Sequence, residues 1–293
     1  LSFVDGSVAA IPNVPVSMDI YKPTGVTPTE AVVILHGNNE DKGGTRYVNL
    51  CKAFAARGIL AVSINNRIDI MDLPGTLNSL HALGNPNSLD VNNRIFYSNA
   101  MDMHNAIKRI KVLYPTVTKF ILGGASRGGA STMYASYVDK SEISSSFPAT
   151  FMTDNVNYID MSVQKPSIKG SFIFFGGIFN INWIGSNENI PLFVYHGTND
   201  PNVPIYYSTC PLPVYGGASI VQRLDVLNKK FYFIEARGLG HVTSICTFEN
   251  LWTATGFEKL WFADLFNFVY KSMINTAVVQ KYKIITPNNG AYN

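Results

Sequence analysis

The sequence predicts an α/β protein with a mostly parallel central sheet and helices on both faces of that sheet. Short apolar runs rich in Val and Ile alternate with longer stretches of helical spacing, which is the pattern of βαβ units. The run AVVIL at 31–35 is continuously apolar, as expected of a strand buried on both faces. Neither an internal repeat nor a low-complexity linker interrupts this alternation.

Each element follows from its local pattern. The segment VSMDIY alternates and AVVIL and ILAVSI are apolar, so strands are predicted in chain order at 16–21, 31–35, 59–64, 119–123, 171–175, 191–195 and 230–235. Helices are predicted at about 45–56, 91–114, 127–137, 216–228 and 249–273. The polar segments 65–90 and 139–167 are predicted as long loops, and we expect the first to form a wall of a site.

The length and the net charge of the chain narrow the classes of protein to which it can belong. The chain has 293 residues, and we predict a single domain over 1–293, with a core at about 16–273 and a C-terminal tail at about 280–293. The net charge is only +3 and the basic residues are dispersed, so nucleic acid is not predicted as a partner. No run of about 18 apolar residues occurs, so no membrane span is predicted.

The composition also bears on location. Charged residues make up only 15% of the chain and there are 15 tyrosines, a balance common in exported proteins. The sequence begins at Leu1 without an initiator Met, which is interpreted as a mature or trimmed terminus. We therefore predict a secreted or periplasmic monomer.

The strongest chemical signal is the sequence Gly-Ala-Ser-Arg-Gly at 124–128, which has the form G-x-S-x-G. It follows an apolar strand and precedes a helix, which is the setting of a nucleophile turn. The glycines are needed because side chains there would clash with the strand and the helix on either side. Ser126 is therefore the candidate nucleophile, with its hydroxyl raised above the sheet edge.

A serine hydroxyl needs a base to accept its proton, and the chain has five histidines. His241 follows the last predicted strand in a glycine-rich loop, Gly-Leu-Gly-His, which can fold over the sheet, so it is the candidate base. His36 and His196 precede glycines at strand ends and are expected to satisfy backbone groups near the site. The other two, His81 and His104, are expected in a loop and in a helix.

The base needs an orienting acid that lies between serine and histidine in chain order. Asp200 fits, because it follows the strand PLFVY at the edge where ligands of parallel sheets bind. An Asn-Asp-Pro surface turn is the alternative interpretation of this segment. Asp225 and Glu235 are poorer candidates, because helix and strand interiors do not direct them to the site.

Acyl transfer also needs two N–H donors for the oxyanion. The backbone of Arg127, directly after the nucleophile, is predicted as one donor. The second is predicted in the turn after AVVIL, at Asn38, with Asn39 as the near alternative. No HExxH, paired CxxC or dinucleotide glycine motif occurs, so neither a metal nor an organic cofactor is predicted.

The three cysteines leave two possibilities open. Cys51 lies in a predicted amphipathic helix and is expected to be a buried free thiol. Cys210 and Cys246 come shortly after the candidate acid and the candidate base. They form a disulfide if those positions meet in space, or they are two unrelated free thiols.

Together these motifs resemble the α/β-hydrolase superfamily, over nearly the whole chain. The ordered set is the HG turn at 36–37, GASRGG at 124–129, HGTNDPNVP at 196–204 and GLGH at 238–241. The third segment is similar to those of dienelactone-hydrolase-like esterases and prolyl-oligopeptidase catalytic domains. The arrangement is also similar to secreted cutinase-like polyester hydrolases, several of which carry a disulfide where Cys210 and Cys246 fall.

The resemblance implies an α/β-hydrolase fold without a separate cap domain, because the connection between 171–175 and 191–195 is too short to hold one. An open site follows, and Phe179 and Trp183 in that connection, together with Asn39, are predicted substrate contacts. The chain departs from the family pattern at Arg127, where many members carry Met, Gln or a small residue, and in the inserted loop at 139–167.

The predicted function is hydrolysis of a carboxylic ester through an acyl-enzyme, on a bulky or polymeric ester such as a polyester or an acylated polysaccharide. A serine peptidase of prolyl-oligopeptidase-like type is the alternative, although only about 30 residues precede AVVIL, where such enzymes usually carry a large extra domain. A non-catalytic binding protein on the same fold is disfavoured, because Ser126 and His241 are both present.

Overall fold

The computed structural model describes residues 2–3, 16–38, 40–66, 88–139, 142, 161–209, 213–241, 257–273, 278 and 280–285. The strands are β1 (Ser2–Phe3), β2 (Val16–Tyr21), β3 (Glu30–Leu35), β4 (Leu60–Ile64), β5 (Lys119–Ala125), β6 (Ile168–Phe174), β7 (Leu192–Gly197), β8 (Tyr207–Ser208), β9 (Val214–Tyr215), β10 (Phe231–Ala236) and β11 (Lys281–Ile285). The helices are α1 (Thr45–Ala55), α2 (Ser88–Leu113), α3 (Arg127–Tyr137), α4 (Gly217–Val226) and α5 (Phe257–Met273).

One mostly parallel sheet organises these elements. Among the described residues, nine strands pair in the order β1-β2-β4-β3-β5-β6-β7-β10-β11, and β8 and β9 form a separate hairpin. β2 runs antiparallel to both β1 and β4, and all other pairs in the large sheet are parallel. The predicted fold class, a mostly parallel sheet with helices on both faces, is therefore confirmed.

The core has two layers, one on each face of the sheet. Along β3, Val33 and Leu35 belong to the core layer that includes residues of α2, α3 and α4, whereas Val32 and Ile34 belong to the layer that includes residues of α1 and α5. This alternation follows from the two-residue period of a strand. Cys51 on α1 is a buried free thiol, as expected, and burial raises the pKa of its thiol.

The C-terminal region differs from its predicted description as a tail. Residues 281–285 form β11, which pairs in parallel with β10 at the edge of the sheet. The Lys283 ammonium lies 2.6 Å from the Asp264 carboxylate of α5, and the Tyr282 hydroxyl bonds to Glu235. The segment KYKII has a weak apolar signal because edge strands commonly carry lysines, so its composition does not distinguish it from a tail.

The sheet order determines where the site can form. Because β3, β5, β7 and β10 are parallel, their carboxyl ends lie at the same edge of the sheet. The loops that leave these four ends carry Asn38, Ser126, Asp200 and His241, respectively. No helix within the described ranges is long and apolar enough to cross a membrane.

Candidate active site

Ser126 lies between β5 and α3 in a backbone conformation that residues with a side chain rarely adopt, with φ 54° and ψ −117°. Such a conformation persists only where the surrounding structure enforces it. The Ser126 N–H donates to the Phe174 carbonyl at 2.9 Å, and the Ala130 N–H donates to the Ser126 carbonyl at 2.9 Å. The turn therefore presents Ser126 immediately before the N-terminus of α3.

Two glycines allow the strands and the helix to approach at this turn. A Cβ on Gly128 would lie 2.1 Å from the Leu35 carbonyl oxygen, and a Cβ on Gly124 would lie 2.4 Å from the Gly128 carbonyl. Both contacts are with backbone, which cannot rotate away as a side chain can. The steric reason for these glycines that the sequence predicted is confirmed.

A continuous hydrogen-bonded chain runs from the Ser126 hydroxyl to the Asp200 carboxylate. Ser126 Oγ lies 2.8 Å from His241 Nε2, and His241 Nδ1 lies 2.7 Å and 2.9 Å from the two oxygens of Asp200. An ionised carboxylate only accepts, so the proton of the neutral imidazole is on Nδ1 and Nε2 keeps its lone pair. In this tautomer the ring can accept a proton from the serine hydroxyl.

The Asp200 carboxylate is buried, with 6% of the residue exposed. Its Oδ1 accepts the backbone N–H groups of Asn202 and Val203, each at 2.9 Å. Burial alone raises the pKa of Asp200, but hydrogen bonds from His196, His241 and Val203 outweigh burial and lower this pKa below its ordinary value. Asp200 is therefore a permanent negative charge at neutral pH.

The loops that carry Asp200 and His241 are joined by their backbones. The Thr198 N–H donates to the Ala236 carbonyl at 3.0 Å, and the Asn199 N–H donates to the Leu239 carbonyl at 3.0 Å. A Cβ on Gly197 would lie 2.2 Å from the Leu239 carbonyl oxygen, so the two loops are in close contact. This contact brings acid and base together from neighbouring strands.

Phe175 packs on the ring of His241. Their ring centroids are 4.8 Å apart, with an interplanar angle of 56°. Phe175 directly follows β6, has a positive φ of 41°, and donates its N–H to the Tyr195 carbonyl at 2.8 Å. The aromatic contact and the carboxylate contact together limit rotation of the imidazole.

The turn after β3 lies against the nucleophile turn. A Cβ on Gly37 would be 3.5 Å from Ser126 Cβ, and the Gly37 N–H donates to Tyr47 Oη and to Glu40 Oε2, both at 3.0 Å. Because the Gly37 N–H is engaged in this way, an oxyanion donor from this turn must come from a later residue. Burial, and then the nearby Glu40 charge, raise the pKa of Tyr47 well above its ordinary value, so its hydroxyl stays protonated.

The side chains of the two predicted oxyanion residues are in contact. The Arg127 guanidinium donates to Asn38 Oδ1, and Arg127 is only 5% exposed. Asn38 itself is exposed. The arginine that departs from the family pattern therefore links the nucleophile turn to the turn after β3. Asn39, the alternative donor and predicted substrate contact, lies outside the described residues.

Comparison with known proteins finds similarity at the level of the fold. No protein-family model and no curated protein matches the sequence. Esterase 2 of Thermogutta terrifontis, phosphoramylated by tabun, matches with a TM-score of 0.57 at 16% identity, over 95% of this chain and 97% of that chain. An α/β serine hydrolase homologue from Coxiella burnetii matches with a TM-score of 0.53 at 12% identity, over 90% of this chain and 97% of that chain.

The chain has the α/β-hydrolase fold. The sheet order and the succession of Ser126, Asp200 and His241 after parallel strands agree with that fold. At identities of 12–16% the likeness concerns architecture.

Within this α/β-hydrolase fold, the connection from β6 to β7 spans residues 175–191 and contains one short 3-10 helix, Ile181–Trp183. Trp183 packs into the core, 5% exposed, with its ring 5.4 Å from that of Tyr134. Phe179 is half-buried, 5.2 Å from the ring of Phe96. The structure thus places Phe179 at the margin of an aromatic cluster and Trp183 within it.

The remaining predictions concern two cysteines and three histidines. Cys210, Cys246 and His81 lie outside the described residues. His36 donates from Nδ1 to the Gly37 carbonyl at 2.8 Å and accepts the Asn66 N–H at Nε2, which agrees with the predicted backbone role. His104 is buried and bonds through Nε2 to the Ala135 carbonyl at 2.8 Å, so it is structural.

Sequence reasoning missed three features of this candidate site. They are the packing of Phe175 on His241, the hydrogen bonds that the Gly37 N–H donates to Tyr47 and Glu40, and the approach of His196 to Asp200. For His196 a signal exists, because the sequence His-Gly-Thr-Asn-Asp separates the two residues by four positions across one turn. Phe175 and Tyr47 carry no local signal, because their contacts depend on how distant elements pack.

Proposed function

We propose that the chain is a serine hydrolase that cleaves carboxylic esters. The observation that carries the proposal is the continuous hydrogen-bonded chain from Ser126 Oγ through His241 to the buried carboxylate of Asp200. It begins at a strained turn and ends at a carboxylate that stays ionised at neutral pH. Ser126, His241 and Asp200 each have a separate role in the proposed acyl transfer.

In the proposed mechanism, Ser126 Oγ attacks the ester carbonyl while His241 Nε2 takes the hydroxyl proton. Asp200 keeps the imidazole in the required tautomer and stabilises the imidazolium. The backbone N–H groups of Arg127 and Asn38 hold the oxyanion. His241 then gives its proton to the departing alkoxide, and an acyl-enzyme remains. Water deprotonated by His241 releases the acid and restores Ser126.

The comparisons support an ester substrate over a peptide. The Thermogutta protein is called an esterase, and one of its structures is described as phosphorylated by paraoxon. The same esterase with propionate bound matches this chain with a TM-score of 0.55 at 15% identity, over 95% of this chain and 96% of that chain. We propose by analogy that Ser126 reacts with organophosphorus esters.

We further propose that the ester is bulky or polymeric, a polyester or an acylated polysaccharide. The short connection at 175–191 supports this, because its single 3-10 helix, Ile181–Trp183, does not itself form a cap domain. Asn39 and Phe179 are proposed substrate contacts, and Trp183 is proposed to support that surface from beneath. The polymeric substrate is tested by comparing hydrolysis rates on soluble short esters with those on insoluble polyester and feruloylated glycan. Activity confined to the short esters contradicts the polymeric substrate.

Export and a Cys210–Cys246 disulfide are part of the same proposal, since cutinase-like polyester hydrolases combine the two. Peptide mapping of the protein without reduction tests the disulfide directly. A peptide pair that joins Cys210 to Cys246 is the expected product. Alkylation of both thiols in the unreduced protein is the opposite result.

The deciding experiment is labelling with a fluorophosphonate, read by mass spectrometry. One phosphonyl group on the peptide that contains Ser126 is expected. Ser126→Ala should abolish both labelling and hydrolysis of p-nitrophenyl acetate. Ser136→Ala is the matched control, because Ser136 is a buried serine of α3 whose hydroxyl bonds to Ser171.

The control variant should still be labelled. Parallel assays with aminoacyl-p-nitroanilides separate an esterase from a peptidase, because a peptidase would turn over the anilides. Absence of labelling in the folded wild-type protein would mean that Ser126 is not an activated nucleophile, and the proposed function would fail.

A further inference from the structure

A second imidazole faces the candidate acid from the side opposite His241. His196, the penultimate residue of β7, has no exposed surface, and its Nε2 lies 3.3 Å from Asp200 Oδ2. His196 takes no part in the proposed proton transfer between Ser126 and His241.

The hydrogen bonds of His196 determine its tautomer. The backbone N–H of Gly217, the first residue of α4, donates to His196 Nδ1 at 3.1 Å. Nδ1 therefore carries a lone pair, and the proton of the neutral ring is on Nε2. That proton is directed to the Val203 carbonyl at 2.7 Å and to Asp200 Oδ2 at 3.3 Å. His196 is thus a donor to the segment that contains Asp200.

The two oxygens of Asp200 are held differently. Oδ1 accepts two backbone N–H groups, from Asn202 and Val203, in addition to His241. Oδ2 accepts His241 Nδ1 at 2.7 Å and faces His196 Nε2. Within the described part of the chain, His196 is the only donor besides His241 that approaches Oδ2. It therefore opposes rotation of the carboxylate about its Cβ–Cγ bond.

We propose that His196 is a positioning residue for Asp200, holding the carboxylate in the orientation in which it directs His241 toward Ser126. This inference rests on the proposed function. In the proposed mechanism His196 does not contact substrate and transfers no proton. Glu235 lies opposite His196 in the register of β10, but its carboxylate bonds to Arg237 and Tyr282, which leaves Asp200 as the charge that His196 contacts.

Two amide substitutions separate this role from a purely structural one. Gln can place an amide N–H where Nε2 stands, whereas Asn is too short to do so but can place an amide oxygen where Nδ1 accepts the Gly217 N–H. We expect His196→Gln to keep kcat within about threefold of wild type. His196→Asn should lower kcat by about 10- to 100-fold with little change in KM, the range found when an orienting partner is removed.

A double-mutant cycle tests whether His196 acts through Asp200. In the Asp200→Asn background the carboxylate is absent, so His196→Asn should lower the residual kcat by less than about twofold. A loss of the same size in both backgrounds would show that the effect does not pass through Asp200. Equal losses for His196→Gln and His196→Asn would also overturn the proposal.

Nitrogen NMR of the wild-type protein labelled at histidine supplies a test that needs no folded variant. The expected result is a His196 ring protonated at Nε2 with Nδ1 unprotonated, together with a far-downfield Nδ1–H proton for His241. A His196 ring protonated at Nδ1 contradicts the proposal whatever the kinetics show. If the wild-type protein neither hydrolyses an ester nor reacts with the fluorophosphonate, the proposed function is wrong. The NMR spectrum does not depend on that activity, so the two failures can be distinguished.

Discussion

The two halves of the site are held in different ways. The acid–base half, Asp200 and His241, is buried and lies in the loops that follow two adjacent strands, and backbone hydrogen bonds join these loops. The candidate oxyanion half is the turn that contains Gly37 and the exposed Asn38, and it is held by side chains from elsewhere. The Gly37 N–H donates to Tyr47 and Glu40, and Arg127 donates to Asn38. Backbone contacts tolerate substitution of neighbouring side chains, whereas side-chain contacts do not. We therefore expect the oxyanion half to be the easier of the two to disturb without unfolding the protein.

The largest effect is expected in the acid–base half, at Asp200. In Asp200→Asn, the amide can donate to His241 Nδ1 and so select the tautomer in which Nε2 is protonated, which cannot accept the proton of Ser126. We expect kcat to fall by about 10⁴-fold, with the fold retained. Steady-state kinetics together with circular dichroism measure this. A variant with more than a tenth of wild-type kcat would show that Asp200 does not orient the base.

The next largest effect is expected in the oxyanion half, at the Asn38 backbone. Proline has no N–H, so Asn38→Pro should lower kcat by about 10²- to 10³-fold while a ground-state ligand binds as before. Asn38→Ala is the matched control, because it keeps the N–H and removes only the side chain. If the proline and alanine variants have the same kcat, the donor is a different residue, with Asn39 the first to examine.

A smaller effect is expected from the contact between Arg127 and Asn38. Arg127→Met and Asn38→Ala each break the same hydrogen bond, so the double variant should be scarcely slower than the slower single variant. We expect a coupling of about 1 kcal/mol in kcat/KM, or roughly fivefold. Additive losses would show that Arg127 acts through other contacts. The melting temperature of each variant serves as the control for folding.

The smallest effect concerns acid stability. Because the pKa of Asp200 is lower in the folded protein than its ordinary value, this group stabilises the fold above the ordinary pKa of about 4. That contribution decreases as the pH falls below this value, by at most about 1.4 kcal/mol per pH unit for one proton. Urea unfolding of wild type and Asp200→Asn should therefore show a difference in stability that narrows on acidification. If the difference in unfolding free energy between the two proteins does not change with pH, the Asp200 carboxyl has the same pKa in the folded and unfolded states.

The sequence was sufficient to predict the parts of the molecule that have local signatures. The nucleophile turn has its glycines, the candidate acid and base follow apolar runs, and the alternation of strands and helices indicates a mostly parallel sheet. The structure brings together Ser126, Asp200 and His241 as the sequence led us to expect.

What could not be predicted depends on packing between distant segments. Tyr47 reaches Gly37 because α1 packs against the sheet, and Phe175 reaches His241 because β6 and β10 end at the same edge. The edge strand at 281–285 was missed because edge strands commonly carry charged residues, here two lysines, so its apolar signal is weak. Trp183 was predicted at the substrate surface, and its burial depends on the aromatic neighbours supplied by α2 and α3.

The close approach of Gly128 to β3 has a consequence for anyone who wishes to redesign this protein. A library that randomises the pentapeptide at 124–128 would lose most of its members at Gly124 and Gly128, where any side chain meets main chain. Ala125 is enclosed as well, with 1% of its surface exposed. Because Ser126 must be kept as the proposed nucleophile, Arg127 is the remaining position at which diversity can be introduced. Each substitution there also changes the contact with Asn38 in the neighbouring turn.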